Sequence, residues 1–131
     1  MAMELVMNGL QQSLSLASRI PTDIKFLFKE ENDGVTSLKE VKAHKFILAL
    51  VSDVFEKEFY SDIIEDCSVE IKDATKDSFE AMINFIYSIN TDLSIYDSDI
   101  LCSIYYLGEK YNINTLKKEA LAAISSKDIL A

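Results

Sequence analysis

Near Ala43 the hydrophobic spacing of this chain changes period, and that switch limits what the chain can fold into. Before it, Ile24-Lys25-Phe26-Leu27-Phe28 alternates as a strand, and Val35 to Val41 reads as its return. Between them Glu30-Glu31-Asn32-Asp33-Gly34 predicts a turn, because Asn-Asp-Gly supplies residues that accept positive φ. After Ala43 the apolar residues recur at helical spacing. Phe46, Ile47, Leu50 and Val51 fall on one face, followed by a short helix carrying Val54, Phe55 and Phe59 that Ser52 can N-cap. A hairpin followed by helices is an α+β domain in which helices dominate.

The same reading extends outward from that switch. Met3, Met7, Leu10, Leu14 and Ala17 are spaced 4, 3, 4, 3 and form one helical stripe, which Pro21 ends. Val69-Glu70-Ile71 alternates as a third short strand. Asp73 or Thr75 can cap a helix from Lys76 to Tyr87 whose inward stripe is Phe79, Met82, Ile83 and Ile86. Ser88 to Ile95 reads as loop with room for one more short strand. Asp97 or Ser98 caps a helix to Tyr111 with Ile100, Ile104, Leu107 and Tyr111 on one face. A last helix from about Asn114 to Ile124 points Leu116, Ala120 and Ala123 inward. The expected core is Phe46, Leu48, Phe55, Phe79, Phe85, Leu107 and Leu116. The expected division is an N-terminal helix over 1–20, one domain over 21–125 and a tail over 126–131.

Charge and composition exclude several functions. The chain has 131 residues, 49% of them hydrophobic, enough for one self-sufficient core. It carries 13 Lys plus Arg against 22 Asp plus Glu, a net charge of −9, and such a surface repels phosphate. No nucleic-acid or membrane partner is therefore expected. The longest apolar run, Phe46 to Val51, is far short of a membrane span, and the first residues lack the basic start of a signal peptide. Cys67 and Cys102 form no CxxC, and with His44 they offer three ligands where a structural zinc needs about four. They read as reduced thiols, and the expected location is cytoplasmic or nuclear.

Enzyme signatures are sparse. Gly9, Gly34 and Gly108 are too scattered to cradle a phosphate. His44 lacks a nucleophile-elbow context and reads as a helix-start residue that hydrogen-bonds backbone or a neighbour. The acidic pairs Glu56/Glu58 and Glu65/Asp66 read as solvated surface, and Glu30, Glu31 and Asp33 lack calcium-loop spacing. The expectation is a non-enzyme with no metal, cofactor or small-molecule substrate. The N-terminal stripe has two readings: it packs on its own core, or on another chain. At about two heptads it is too short for an independent coiled coil and must lean on a folded surface.

The segment Ala43-His44-Lys45-Phe46-Ile47-Leu48-Ala49-Leu50-Val51-Ser52-Asp53-Val54-Phe55 resembles the signature of the BTB/POZ family, an Ala-His-Lys followed by Leu, a small residue, Ser and Phe. Asp23-Ile24 resembles the family's first strand and Val69-Glu70-Ile71-Lys72-Asp73 its third. Phe79 through Phe85-Ile86-Tyr87 resembles the helix ending in Phe-Ile-Tyr. Leu107-Gly108-Glu109-Lys110-Tyr111 with Leu116-Lys117-Lys118 resembles its Ala-Asp-Lys-Tyr and Leu-Lys-Lys blocks, with Gly108 where Ala is usual and Ala120 where Cys is common. The resemblance covers about residues 20 to 124.

The resemblance implies a short three-stranded sheet covered by helical hairpins, with an N-terminal dimerisation helix, and a non-catalytic protein-interaction role. It implies a homodimer whose interface holds Met3, Met7, Leu10, Leu14, Asp23, Lys45 and Phe46, with Asp23 and Lys45 lining a charged pocket. It also implies an adaptor that recruits a cullin scaffold into a ubiquitin ligase. Ile63-Ile64-Glu65 resembles the hydrophobic-x-Glu pattern of such adaptors, and Phe59, Tyr60, Ile63, Glu65 and Tyr87 are the expected contacts. The alternative is an oligomerisation module of a transcriptional or cytoskeletal regulator that binds corepressor peptides.

Overall fold

In a computed structural model, residues 19–60, 67–88 and 92–130 are described. Strands β1 (Ile24–Asn32) and β2 (Val35–Ala43) pair antiparallel from Ile24↔Ala43 to Asn32↔Val35. The turn is tighter than the sequence predicts. Only Asp33 (φ 53°) and Gly34 (φ 79°) lie outside the strands. A two-residue hairpin turn needs positive φ at just those two positions, and its twist matches that of the flanking strands. Glu30, Glu31 and Asn32 therefore remain in the ladder, and β2 runs two residues beyond the expected Val41. Strand β3 (Ser68–Glu70) pairs parallel with β1, giving the order β2-β1-β3. Ile24, Phe26 and Phe28 point into the core while Lys25 and Lys29 face solvent, the period of two that the sequence shows.

Within the described residues the main helices are α1 (Lys45–Val51), α2 (Asp53–Tyr60), α3 (Lys76–Ser88), α4 (Ser98–Lys110) and α5 (Asn114–Leu130). Side-chain oxygens define the starts of α2, α3 and α4. Ser52 Oγ accepts the Phe55 amide at 3.1 Å, Thr75 Oγ1 the Ser78 amide at 3.3 Å, and Asp97 Oδ1 the Ile100 amide at 2.9 Å. Between α4 and α5 the chain turns at Asn112 (φ 56°), with Ile113 N–H donating to Gly108 O at 2.8 Å and Asn112 N–H to Glu109 O at 3.3 Å. This is the Schellman arrangement, with Asn in the usual glycine position. Gly108 has a packing reason: a Cβ there would lie 2.7 Å from Lys117 Cγ and 3.2 Å from Lys117 N. Residues Leu93–Ile95 form a 3-10 turn with Leu93 buried, not the extra strand the sequence allows for. Helix α5 continues to Leu130, past the expected Ile124.

The core joins one sheet face to the helices. Phe55 stacks between Tyr111 (4.1 Å between ring centres) and Phe59 (5.5 Å), and Phe79 lies 4.5 Å from Phe26 and 5.4 Å from Phe28. Leu48, Phe55, Phe79, Phe85, Leu107 and Leu116 are buried as expected. Phe46 is not: it is 66% exposed. After Lys45 every residue of helix α1 is apolar, and only one side of the helix meets the core. Leu48 takes that side, so Phe46 and Leu50, each two residues (about 200°) away, face outward.

Candidate interaction surfaces

The start of α1 is held by residues far away in sequence. His44 occupies the N-cap position, but its side chain makes no cap bond. Instead Asp23 Oδ1 accepts the Lys45 amide at 2.8 Å, and Tyr87 Oη accepts the His44 amide at 2.8 Å. The His44 ring bridges onward, with Nδ1 2.7 Å from Tyr87 Oη and Nε2 2.8 Å from Ile20 O. A carbonyl only accepts, so Nε2 carries the proton in the neutral ring, Nδ1 accepts, and the Tyr87 hydroxyl donates to it. His44 thus bonds backbone and a neighbour, as its sequence context predicts. Burial raises the Tyr87 phenol above its ordinary pKa; the His44 amide opposes this and the Asp23 charge adds to it.

This anchoring fixes the outward face of α1. Phe46 is 66%, Leu50 68% and Val51 43% exposed, and Ile20 beside the His44 ring is 49% exposed. Three large apolar side chains on seven helical residues are an exposed patch of the kind that marks an interface. A second exposed aromatic, Tyr60 at 56%, ends α2, with the half-buried Phe59 behind it. In the single chain Asp23 is exposed, and its carboxylate holds the Lys45 amide rather than the ammonium, which lies 5.9 Å over the Phe59 ring. Met3, Met7, Leu10 and Leu14 of the expected dimer seam, and Ile63 and Glu65 of the expected cullin contact, lie outside the described residues.

A family model for the BTB/POZ domain matches residues 15–128. The chain belongs to the BTB/POZ family. It is 29% identical over 110 residues to a BTB/POZ domain-containing protein of Arabidopsis thaliana, a match covering 84% of this chain and 44% of that protein. It is 36% identical over 81 residues to BTB/POZ domain-containing protein 6 of Xenopus laevis, covering 61% of this chain and 15% of the relative. The chain thus spans less than half the length of these relatives. Among solved structures, the BTB domain of zebrafish PATZ1 superposes with a TM-score of 0.67 at 15% identity, covering 91% of this chain and 90% of that one. The three-stranded sheet with its helices is the BTB fold, and a BTB/POZ domain is a protein–protein interaction module, commonly a self-associating one.

The BTB/POZ frame sorts the remaining polar features. Tyr87, an expected cullin contact, is half-buried and spends its hydroxyl on His44. Sequence reasoning missed this, because 43 residues separate the partners. It also missed the cluster at Asp73, which does not cap α3; Thr75 does. Asp73 Oδ2 accepts from Tyr106 Oη and from Lys110 Nζ, each at 2.7 Å, tying the loop after β3 to α4. The Lys110 and Tyr106 donors hold the Asp73 carboxyl below its ordinary range, and the same bond raises the Tyr106 phenol. Glu58 moves the other way: burial raises it, and Lys110 partly offsets this. No signal in one sequence would have paired 73 with 106 and 110. Cys67 and Cys102 are surface thiols, not a disulfide.

Proposed function

We propose that this BTB/POZ domain homodimerises and that the dimer is an adaptor, docking a cullin scaffold into a ubiquitin ligase. The observation that carries the reading is the apolar face of α1. Phe46 and Leu50 keep about two-thirds of their surface in water, and covering each contributes on the order of 1–2 kcal/mol. A two-fold contact counts each residue twice, so one small patch is enough for a symmetric interface. In this reading the Met3, Met7, Leu10 and Leu14 stripe covers the partner's α1, while Asp23 and Lys45 set specificity more than affinity.

Light scattering tests the first half. The wild type is expected as a dimer at micromolar concentration, and Phe46→Glu with Leu50→Glu as a folded monomer. A wild type that is monomeric, and unchanged by deleting residues 1 to 19, refutes it. For the second half, Tyr60 is 56% exposed at the end of α2, three positions before Ile63 in the sequence, and it offers an aromatic anchor that an apolar groove on the cullin can receive. Titration with a cullin N-terminal domain should give binding that Ile63→Ala and Glu65→Ala each weaken. No binding at tens of micromolar, or both variants binding like wild type, ends the cullin reading and leaves the oligomerisation module of a regulator, which recruits corepressor peptides or simply dimerises.

A further inference from the structure

We infer that the outer edge of β2 is a second self-association surface, where two copies pair antiparallel with Leu38 opposite the partner's Leu38. This stands apart from the α1 contact and from the cullin reading. The sheet order is β2-β1-β3, and among the described residues no strand pairs with the far side of β2. The other edge strand, β3, has three residues, whereas β2 has nine. A long bare edge is a template for another strand, and proteins that avoid pairing shorten or cover it.

The register follows from the hairpin. Asn32 and Val35 flank a two-residue turn and so exchange hydrogen bonds, which directs the backbone of Val35, Ser37, Lys39, Val41 and Ala43 toward β1. The N–H and C=O groups of Thr36, Leu38, Glu40 and Lys42 then point outward. A symmetric antiparallel pair must centre on one residue of β2. Centring on Lys39 sets two ammonium groups face to face, and centring on Glu40 sets two carboxylates. Centring on Leu38 sets Leu38 on Leu38, Thr36 on Glu40, Ser37 on Lys39 and Val35 on Val41, with no like charges opposed. That register also covers the strand's two exposed apolar residues, Val35 (66%) and Leu38 (60%).

Charge permits the contact here. The molecule carries −9, but residues 24–43 hold four lysines (25, 29, 39, 42) against four acids (30, 31, 33, 40), a net of zero. The hairpin is therefore a neutral stretch of an acidic protein, where two copies approach without net charge repulsion.

Disulfide trapping reads the register directly. In the full chain with Cys67→Ser, Cys102→Ser, Phe46→Glu and Leu50→Glu, which removes the native thiols and the α1 contact, single cysteines are placed at Leu38, Lys39 and Glu40 and oxidised. Centring on Leu38 puts the two 38 Cα atoms about 5.5 Å apart, inside disulfide range, and the two 39 Cα atoms roughly 8 Å apart, outside it. The expected result is cross-linking of Leu38→Cys at least about tenfold faster than of Lys39→Cys or Glu40→Cys. In the otherwise native chain, sedimentation should show species larger than a dimer that Leu38→Lys abolishes without changing the circular dichroism spectrum. Equal trapping at all three sites, faster trapping at 39 or 40, or no trapping at any site overturns the proposal, and the last outcome returns the edge to a different occupant.

Discussion

Ser52→Ala tests how the helical hairpin α1–α2 is welded to α4. Ser52 is 2% exposed, and its hydroxyl works twice: Oγ accepts the Phe55 amide at 3.1 Å and donates to Tyr111 O at 2.5 Å. Removing an N-cap acceptor costs about 1 kcal/mol. The Tyr111 carbonyl, at the C-cap of α4, then loses that donor, and an unsatisfied buried acceptor costs about 1–3 kcal/mol more. The expected loss is about 2–4 kcal/mol, a large share of the total stability of about 5–15 kcal/mol of an ordinary domain. Urea denaturation followed by circular dichroism measures it as a lower midpoint at unchanged slope. Ser52→Thr keeps both the acceptor and the donor and should recover most of the loss. A Ser52→Ala change below about 0.5 kcal/mol would mean that neither bond contributes in solution, and the weld would have to be sought in the aromatic stack alone.

Phe55→Ala should cost about 3–5 kcal/mol in the same assay, since the ring is fully buried between Phe59 and Tyr111; a loss under about 1 kcal/mol contradicts the core described here. Gly108→Ala should destabilise by about 1 kcal/mol, because the clash with Lys117 outweighs the helix-propensity gain of about 1 kcal/mol; a rise in melting temperature would show that the Lys117 side chain yields. Asp73→Asn should lower stability at pH 7 by a difference that closes at acid pH. Asp73's folded pKa is depressed, so its contribution is complete above the ordinary carboxylate value of about 4 and disappears as pH falls through the depressed one. A gap that stays constant across that range counts against the Lys110 and Tyr106 bonds.

The fold was legible in the sequence because most of its elements declare themselves locally. Period-two spacing over Ile24–Phe28, helical spacing in α3, α4 and α5, and the caps at Ser52, Thr75 and Asp97 are each set by residues a few positions apart. The BTB/POZ blocks fixed their order. The candidate surfaces were less legible. Phe46 lies in a helix that is apolar at every position after Lys45, and spacing alone cannot say which side of such a helix meets the core; the packing of Leu48 decided it. Leu38 stands in a strand whose outer edge is defined by the parallel pairing of β3 on the other side of β1.

What the sequence determined by itself is the set of elements, their periods and the side of each strand that is apolar, all consequences of short-range backbone geometry. What the tertiary structure alone decided is which polar atoms satisfy one another across long stretches of chain. His44 meets Tyr87 across 43 residues, Asp73 meets Tyr106 and Lys110 across 33 and 37, and Ser52 meets Tyr111 across 59. The reason is physical: a hydrogen bond depends on a separation of about 3 Å and on direction, and neither exists for residues so far apart in the chain until the core has brought their elements together.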